Sequence, residues 1–217
     1  MKKLQSSLLN MVLVLTGVAA VTGCILAYMN HLTASAIAQQ EKKALAEGIQ
    51  AVMGGLPVQV GEQPDTIIAM HDKQKHKTAY YSVYQVRDTK GQLLGVAIQD
   101  TINGFGGQLV VLVGFDTEGT ILGYRLLKQS ETPGLGAKAE TWFQKGEKGN
   151  IIGKRLSKDS MLTVTKKQPE NAMEVQAITA STITSKAFLS AINNAYSALT
   201  SKPEADGQSG ASKREVK

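Results

Sequence analysis

QLVVLVGF (108–115), DTEG (116–119) and TILGYRLL (120–127) follow one another without interruption, so that two apolar, β-branched runs meet at a four-residue turn sequence. Runs of this length and composition read as strands, and the Asp and Gly between them as a tight return. Upstream, YYSVYQV (80–86) and QLLGVAIQ (92–99) repeat the arrangement around DTKG (88–91). The economical reading is two antiparallel hairpins. Asp88 and Asp116 then serve as turn formers rather than catalysts, and Gly91 and Gly119 sit where a tight return needs a left-handed backbone.

Between the hairpins lies NGFGGQ (103–108), which reads as a flexible surface connection because no strand and helix frame its glycines as a phosphate-binding fingerprint. Further on, KAETWFQKG predicts a short helix starting between Ala137 and Glu140, with Trp142 and Phe143 covering apolar surface. SKAFLSAINNAYSAL (185–199) has the period of a longer helix. Phe188, Ile192, Ala195 and Leu199 form its apolar row, and Thr184 or Ser185 is placed to cap its first turn. The expected class is α+β, with antiparallel hairpins and flanking helices, not a doubly wound dinucleotide domain.

The amino-terminal part is of another kind. Residues 8–29 carry no charged side chain and only Asn10, Thr16 and Thr22 (with Gly and Cys24) interrupt their apolar character. As a helix they cover roughly 30 Å of hydrocarbon. Lys2 and Lys3 precede them, which places the amino end in the cytoplasm and the main domain on the extracytoplasmic side. VTGC (21–24) resembles a lipoprotein cleavage site, but apolar residues continue past Cys24, and a retained single-pass anchor is the preferred reading. ASAIAQQEKKALAEGIQAVM then permits an amphipathic helix, broken at Gly54, Gly55 and Pro57. The expected organisation is an anchor over 1–30, a helical connector and variable region over 31–79, the main domain over 80–200 and a polar tail over 201–217.

Composition removes several functions. The formal charge is +6, yet the basic residues are dispersed and lack interleaved aromatics, which argues against nucleic-acid binding. Cys24 is the only cysteine, so the chain has no intrachain disulfide and no cysteine-ligated iron–sulfur or zinc site of its own. His71 and His76 lie in HDKQKH, a polar connecting stretch without metal-ligand spacing.

The remaining signal is AITASTITSK (177–186), where Thr179, Ser181, Thr182 and Thr184 crowd ahead of the last helix. An ordinary helix cap and a covalent attachment site are both compatible with it. SETPGLGAKAETWF (130–143) and AITASTITSKAF (177–188), with NGFGG, the two hairpins and the anchor, resemble the G subunit of the Rnf electron-transport complexes. The wider group is the FMN-binding domains, which include the C subunit of sodium-pumping quinone reductases. The resemblance implies FMN bound covalently through its phosphate to Thr182. It also implies cofactor contacts from Glu131, Thr132, Gly134, Leu135, Lys138, Thr179 and Ser181, and no catalytic residues or resident metal. Gln176, Ala180 and Ser181 stand where the family pattern has Asp, Gly and Ala.

By the same resemblance the chain is one component of a redox-driven ion translocase in the bacterial inner membrane. Its implied partners are the other membrane, flavin and iron–sulfur subunits, and a flavin transferase during maturation. A non-flavinylated assembly or binding module is the alternative that the three departures leave open.

Overall fold

A computed structural model describes residues 8–55, 58, 64–72 and 77–201. Lys2, Lys3, Pro57, His76 and the tail from 202 onward lie outside those residues. Two compact units divide the chain, Met1–Leu45 and Ala46–Lys217. Helix α1, Leu8–Val52, is unbroken, so the apolar span and the segment read as a separate amphipathic helix are one element of 45 residues. It is long and apolar enough to cross a membrane. Gly54 and Gly55, at φ +78° and +74°, end it as expected, with Gly55 N–H returning to Gln50 O at 3.0 Å.

The second unit is built on a five-stranded antiparallel meander in the order β1-β2-β3-β4-β5. Its strands are β1 Thr66–Asp72, β2 Lys77–Arg87, β3 Leu93–Asn103, β4 Gln108–Asp116 and β5 Ile121–Lys128. Both expected hairpins are present, β2–β3 and β4–β5, and they belong to one sheet because β3 also pairs with β4 from Gly95↔Asp116 to Asn103↔Gln108. Strand β1 lies inside the interval read as connector. His71 belongs to β1, where it pairs with Thr78 of β2, so it lies in a strand of the sheet and not in a connection. A 3-10 turn over Gly136–Lys138 leads into α2, Ala139–Trp142. Strands β6, Thr163–Thr165, and β7, Glu174–Gln176, form a small parallel pair, and α3, Thr182–Thr200, closes the domain.

The period-two alternation of β4 sorts its side chains onto two faces. Leu109, Val111, Val113 and Phe115 enter the main core, where α3 buries Phe188, Ile192 and Ala195. Each of the larger side chains among these contributes about 1.5–3 kcal/mol by its burial. Phe188 stacks on Phe143, ring centroids 4.5 Å apart, and takes Tyr124 edge-on at 4.8 Å. Tyr124 O–H donates to Ala139 O at 2.8 Å, and Phe143 N–H donates to Tyr124 Oη at 3.2 Å. Burial pushes the Tyr124 phenol well above its ordinary range, keeping it a neutral donor. This knot fixes residues 136–143 against β5 and α3, and so fixes the loop just before them.

On the opposite face of the sheet, Gly114 of β4 pairs with Gly123 of β5. A Cβ on either would come within 2.6 or 2.8 Å of Val52 O. The last turn of α1 therefore rests directly on sheet backbone, and Ile49, Val52 and Met53 are buried there.

Candidate functional site

At one end of the sheet the β3–β4 turn, the loop after β5 and the start of α3 line a cleft of about 280 Å³. Phe105, Thr132, Leu135, Ser181, Thr182 and Ile183 are among its walls. Phe105, Leu135 and Ile183 are 72%, 42% and 58% exposed, an apolar rim on an otherwise polar set of loops.

The rim is held by Glu131, which is buried. Phe105 N–H and Gly106 N–H donate to its Oε1 at 2.8 and 3.0 Å, and Thr184 O–H donates to its Oε2 at 2.8 Å. NGFGG is accordingly a pinned hairpin turn, with Gly104 N–H bonded to Gly107 O at 2.7 Å, and not the flexible connection its composition suggests. Gly104 and Gly106 of this turn, and Gly136 of the ETPGLG loop, are needed for close approach. A Cβ at Gly104 would lie 2.1 Å from Glu131 Oε1, and one at Gly136 would lie 2.3 Å from Glu131 Oε2.

Helix α3 begins at Thr182, earlier than either expected cap. Thr184 is committed to Glu131. Ser185 Oγ accepts from Ile178 N–H at 3.0 Å and donates to Ser181 O at 2.9 Å, so neither side chain turns back to cap. Ser181 occupies the N-cap position without a side-chain bond to the helix. The first helical N–H bond, Ser185 to Ser181 O at 3.0 Å, leaves the preceding first-turn amides without intrahelical acceptors. Thr182 is half-buried and, among the described residues, its hydroxyl enters no hydrogen bond. Just before it, Ala180 has φ +62°, the one non-glycine residue with positive φ among those described. The approach from β7 is fixed as well, since Trp142 Nε1–H donates to Gln176 O at 2.8 Å.

Of the residues expected around the cofactor, Glu131, Thr132, Leu135, Ser181 and Thr182 line the cleft, whereas Gly134, Lys138 and Thr179 are exposed outside its lining. Gly134 has its own reason to be glycine, a φ of +77° in the loop. Phe105, Ile183 and Thr184 join the site beyond those expectations. Only the position of Phe105 between paired glycines could have hinted at its exposure.

Residues 104–197 match the FMN-binding domain family. Over 192 residues the chain is 32% identical to the G subunit of the Na(+)-translocating ferredoxin:NAD(+) oxidoreductase complex of Acetobacterium woodii, covering 83% of this chain and 86% of that protein. The chain belongs to the family of G subunits of ion-translocating oxidoreductase complexes. Another member, the G subunit of the proton-translocating ferredoxin:NAD(+) oxidoreductase complex of Clostridium ljungdahlii, is 25% identical over 202 residues, 90% of this chain and 94% of its own. Among solved structures, the C subunit of the Na(+)-translocating NADH-quinone reductase of Parabacteroides distasonis is 20% identical, with a TM-score of 0.44, over 76% of this chain and 96% of that one.

The residues of the cleft suit FMN. An uncapped helix start offers amides and a positive dipole end to a phosphate, and the exposed apolar rim offers packing surface to a conjugated ring. At about 280 Å³ the cleft lies just below the range of small-molecule sites, roughly 300–1,000 Å³, so a group of this size would rest against it and not be enclosed.

Proposed function

We propose that this chain carries FMN esterified through its phosphate to Thr182, and that it serves as an electron carrier within a membrane-bound, ion-translocating ferredoxin/nicotinamide oxidoreductase complex. One observation supports the reading most: Thr182 sits at the cleft as the first residue of an uncapped helix, its hydroxyl uncommitted. Thr184 and Ser185, by contrast, are consumed by Glu131 and by the local backbone.

A neutral threonine hydroxyl is a weak nucleophile, so an external flavin transferase supplies the activation, with a divalent metal ion that need not stay on this chain. In this step Thr182 Oγ1 would bond to the flavin-side phosphorus of a flavin adenine dinucleotide while the pyrophosphate P–O bond breaks; the adenosine monophosphate leaves, and the hydroxyl proton passes to a base of the transferase. The first-turn amides of α3 then hold the phosphate. Thr132 donates a hydrogen bond to the cofactor, and Leu135, Phe105 and Ile183 pack on the ring. Lys138, Gly134 and Thr179 act from outside the lining, Lys138 as a nearby positive charge. FMN when bound supplies reversible electron acceptance and donation. The open cleft leaves one side accessible to partner subunits, which bring the iron–sulfur and nicotinamide chemistry. Residues 8–29 anchor the chain in the cytoplasmic membrane, with the main domain extracytoplasmic.

Coexpression of the full chain with a flavin transferase tests this. The expected result is fluorescence that survives a denaturing gel and an FMN mass increment on the Thr182 peptide, both lost in Thr182→Ala. Unmodified Thr182 in the assembled, electron-conducting complex overturns it, and favours an assembly module whose site has lost its modification through Gln176, Ala180 and Ser181.

A further inference from the structure

We infer that Glu131 is a positioning residue: its buried carboxylate clasps the β3–β4 turn to the start of α3 and so sets the separation between Phe105 and Thr182 across the cleft. The functional part of this inference rests on attachment at Thr182; the clasp itself does not.

Three donors from two distant segments converge on one side chain, Phe105 N–H and Gly106 N–H on Oε1 and Thr184 O–H on Oε2. A carboxylate offers about four acceptor directions, and a site that fills three of them has little left for a ligand. The surroundings are shaped to the carboxyl group. Gly104 and Gly136 close on its two oxygens to distances that exclude a Cβ, and Gly106 closes on the preceding carbonyl, Ser130 O, where a Cβ would sit at 2.4 Å. Gln129 Oε1 accepts from Glu131 N–H at 2.8 Å and holds the backbone of the clasp in place. Phe105 and Gly106 lie just beyond Asn103, the residue that ends β3, and Thr184 shares the first turn of α3 with Thr182. Movement of the carboxylate therefore shifts both walls.

Geometry, not charge, is the working element. Glutamine in place of Glu131 preserves every contact: its carbonyl oxygen accepts from the two amides, and its amide donates to Thr184 Oγ1. Alanine preserves none.

The full chain in detergent, with and without a coexpressed flavin transferase, provides the test. Without transferase, Glu131→Ala is expected to raise hydrogen–deuterium exchange over residues 104–107 by about tenfold or more, and Thr184→Val by less, as hydrogen bonds to a charged acceptor are lost. Glu131→Gln and Thr184→Ser stay near the parent. With transferase, the modified fraction of Thr182 at fixed expression time falls by about fivefold or more in the Ala and Val variants and recovers in Gln and Ser. Glutamine as impaired as alanine overturns the inference, because only the charge has been removed. Parent-level exchange and loading in both Ala and Val variants overturn it too. Thr184→Val deletes one arm at nearly constant volume and decides the matter if Glu131→Ala fails to fold. Should the parent itself take no flavin at Thr182, the attachment reading falls, while the exchange measurements still decide the clasp.

Discussion

The turn at Asp116 and the turn at Gly104 both reverse the chain between neighbouring strands, and both contain glycine. They are stabilised in opposite ways. Asp116 Oδ1 accepts from Glu118 N–H and Thr120 N–H, each at 2.8 Å, so the hydrogen bonds of its side chain stay within four residues, while Gly119 O accepts from the more distant Leu156 N–H at 3.1 Å. Asp88 repeats the pattern with Lys90 and Gln92. The Gly104 turn instead sends its amides to Glu131, 25 and 26 residues away. A locally satisfied turn can sit anywhere on a surface. A turn satisfied at long range is tied to one place, which is what a binding site requires.

The contrast can be broken most severely at Gly136. Gly136→Ala places a methyl 2.3 Å from Glu131 Oε2, and the overpacking is expected to cost about 3 kcal/mol, visible as a large fall in Tm. Gly91→Ala should be milder. That glycine has φ +82° but nothing within 4 Å of an added Cβ, so only the left-handed strain of about 1–2 kcal/mol applies. If the two substitutions cost the same, close approach to the carboxylate is not what selects glycine at 136.

Ala180→Gly sharpens the picture from the other side. Relief of a positive φ at 62° is expected to stabilise the domain by about 1 kcal/mol in denaturant titration. The smallest effect belongs to the local turn. Burial raises the Asp116 pKa, but the Thr120 and Glu118 amides, the Thr120 side chain and the Arg155 guanidinium outweigh it, and the net shift is downward. A depressed folded-state pKa gives stability that is present above the ordinary carboxylate value of about 3.9 and is lost as pH falls through the lower folded value. Asp116→Ala should therefore cost about 1 kcal/mol at pH 7, with the gap to the parent narrowing below about pH 4. Asp116→Asn keeps the acceptor and should lose only the pH dependence.

The same contrast explains what is legible in the sequence. Asp-Thr-Lys-Gly and Asp-Thr-Glu-Gly carry their own reason for turning, and the alternation beside them carries the sheet, so both hairpins and the closing helix can be read directly. Strand β1 cannot, because Ile67 is exposed and its neighbours alternate weakly. Thr184 looks like a cap in the sequence because its partner lies 53 residues upstream, and no local pattern encodes that bond. Thr182, Thr132 and Leu135 come forward only through family resemblance. Phe105 and Ile183 stay hidden because exposed apolar residues acquire meaning only when the fold brings them together.

The bond between Glu131 and Thr184 also dictates when the site can exist. A ribosome that has released strand β5 has made the carboxyl group and the glycine turn, but not the helix that completes the enclosure. The cleft closes only after nearly the whole ordered chain has emerged, so the flavin attachment proposed above would have to follow synthesis of the domain.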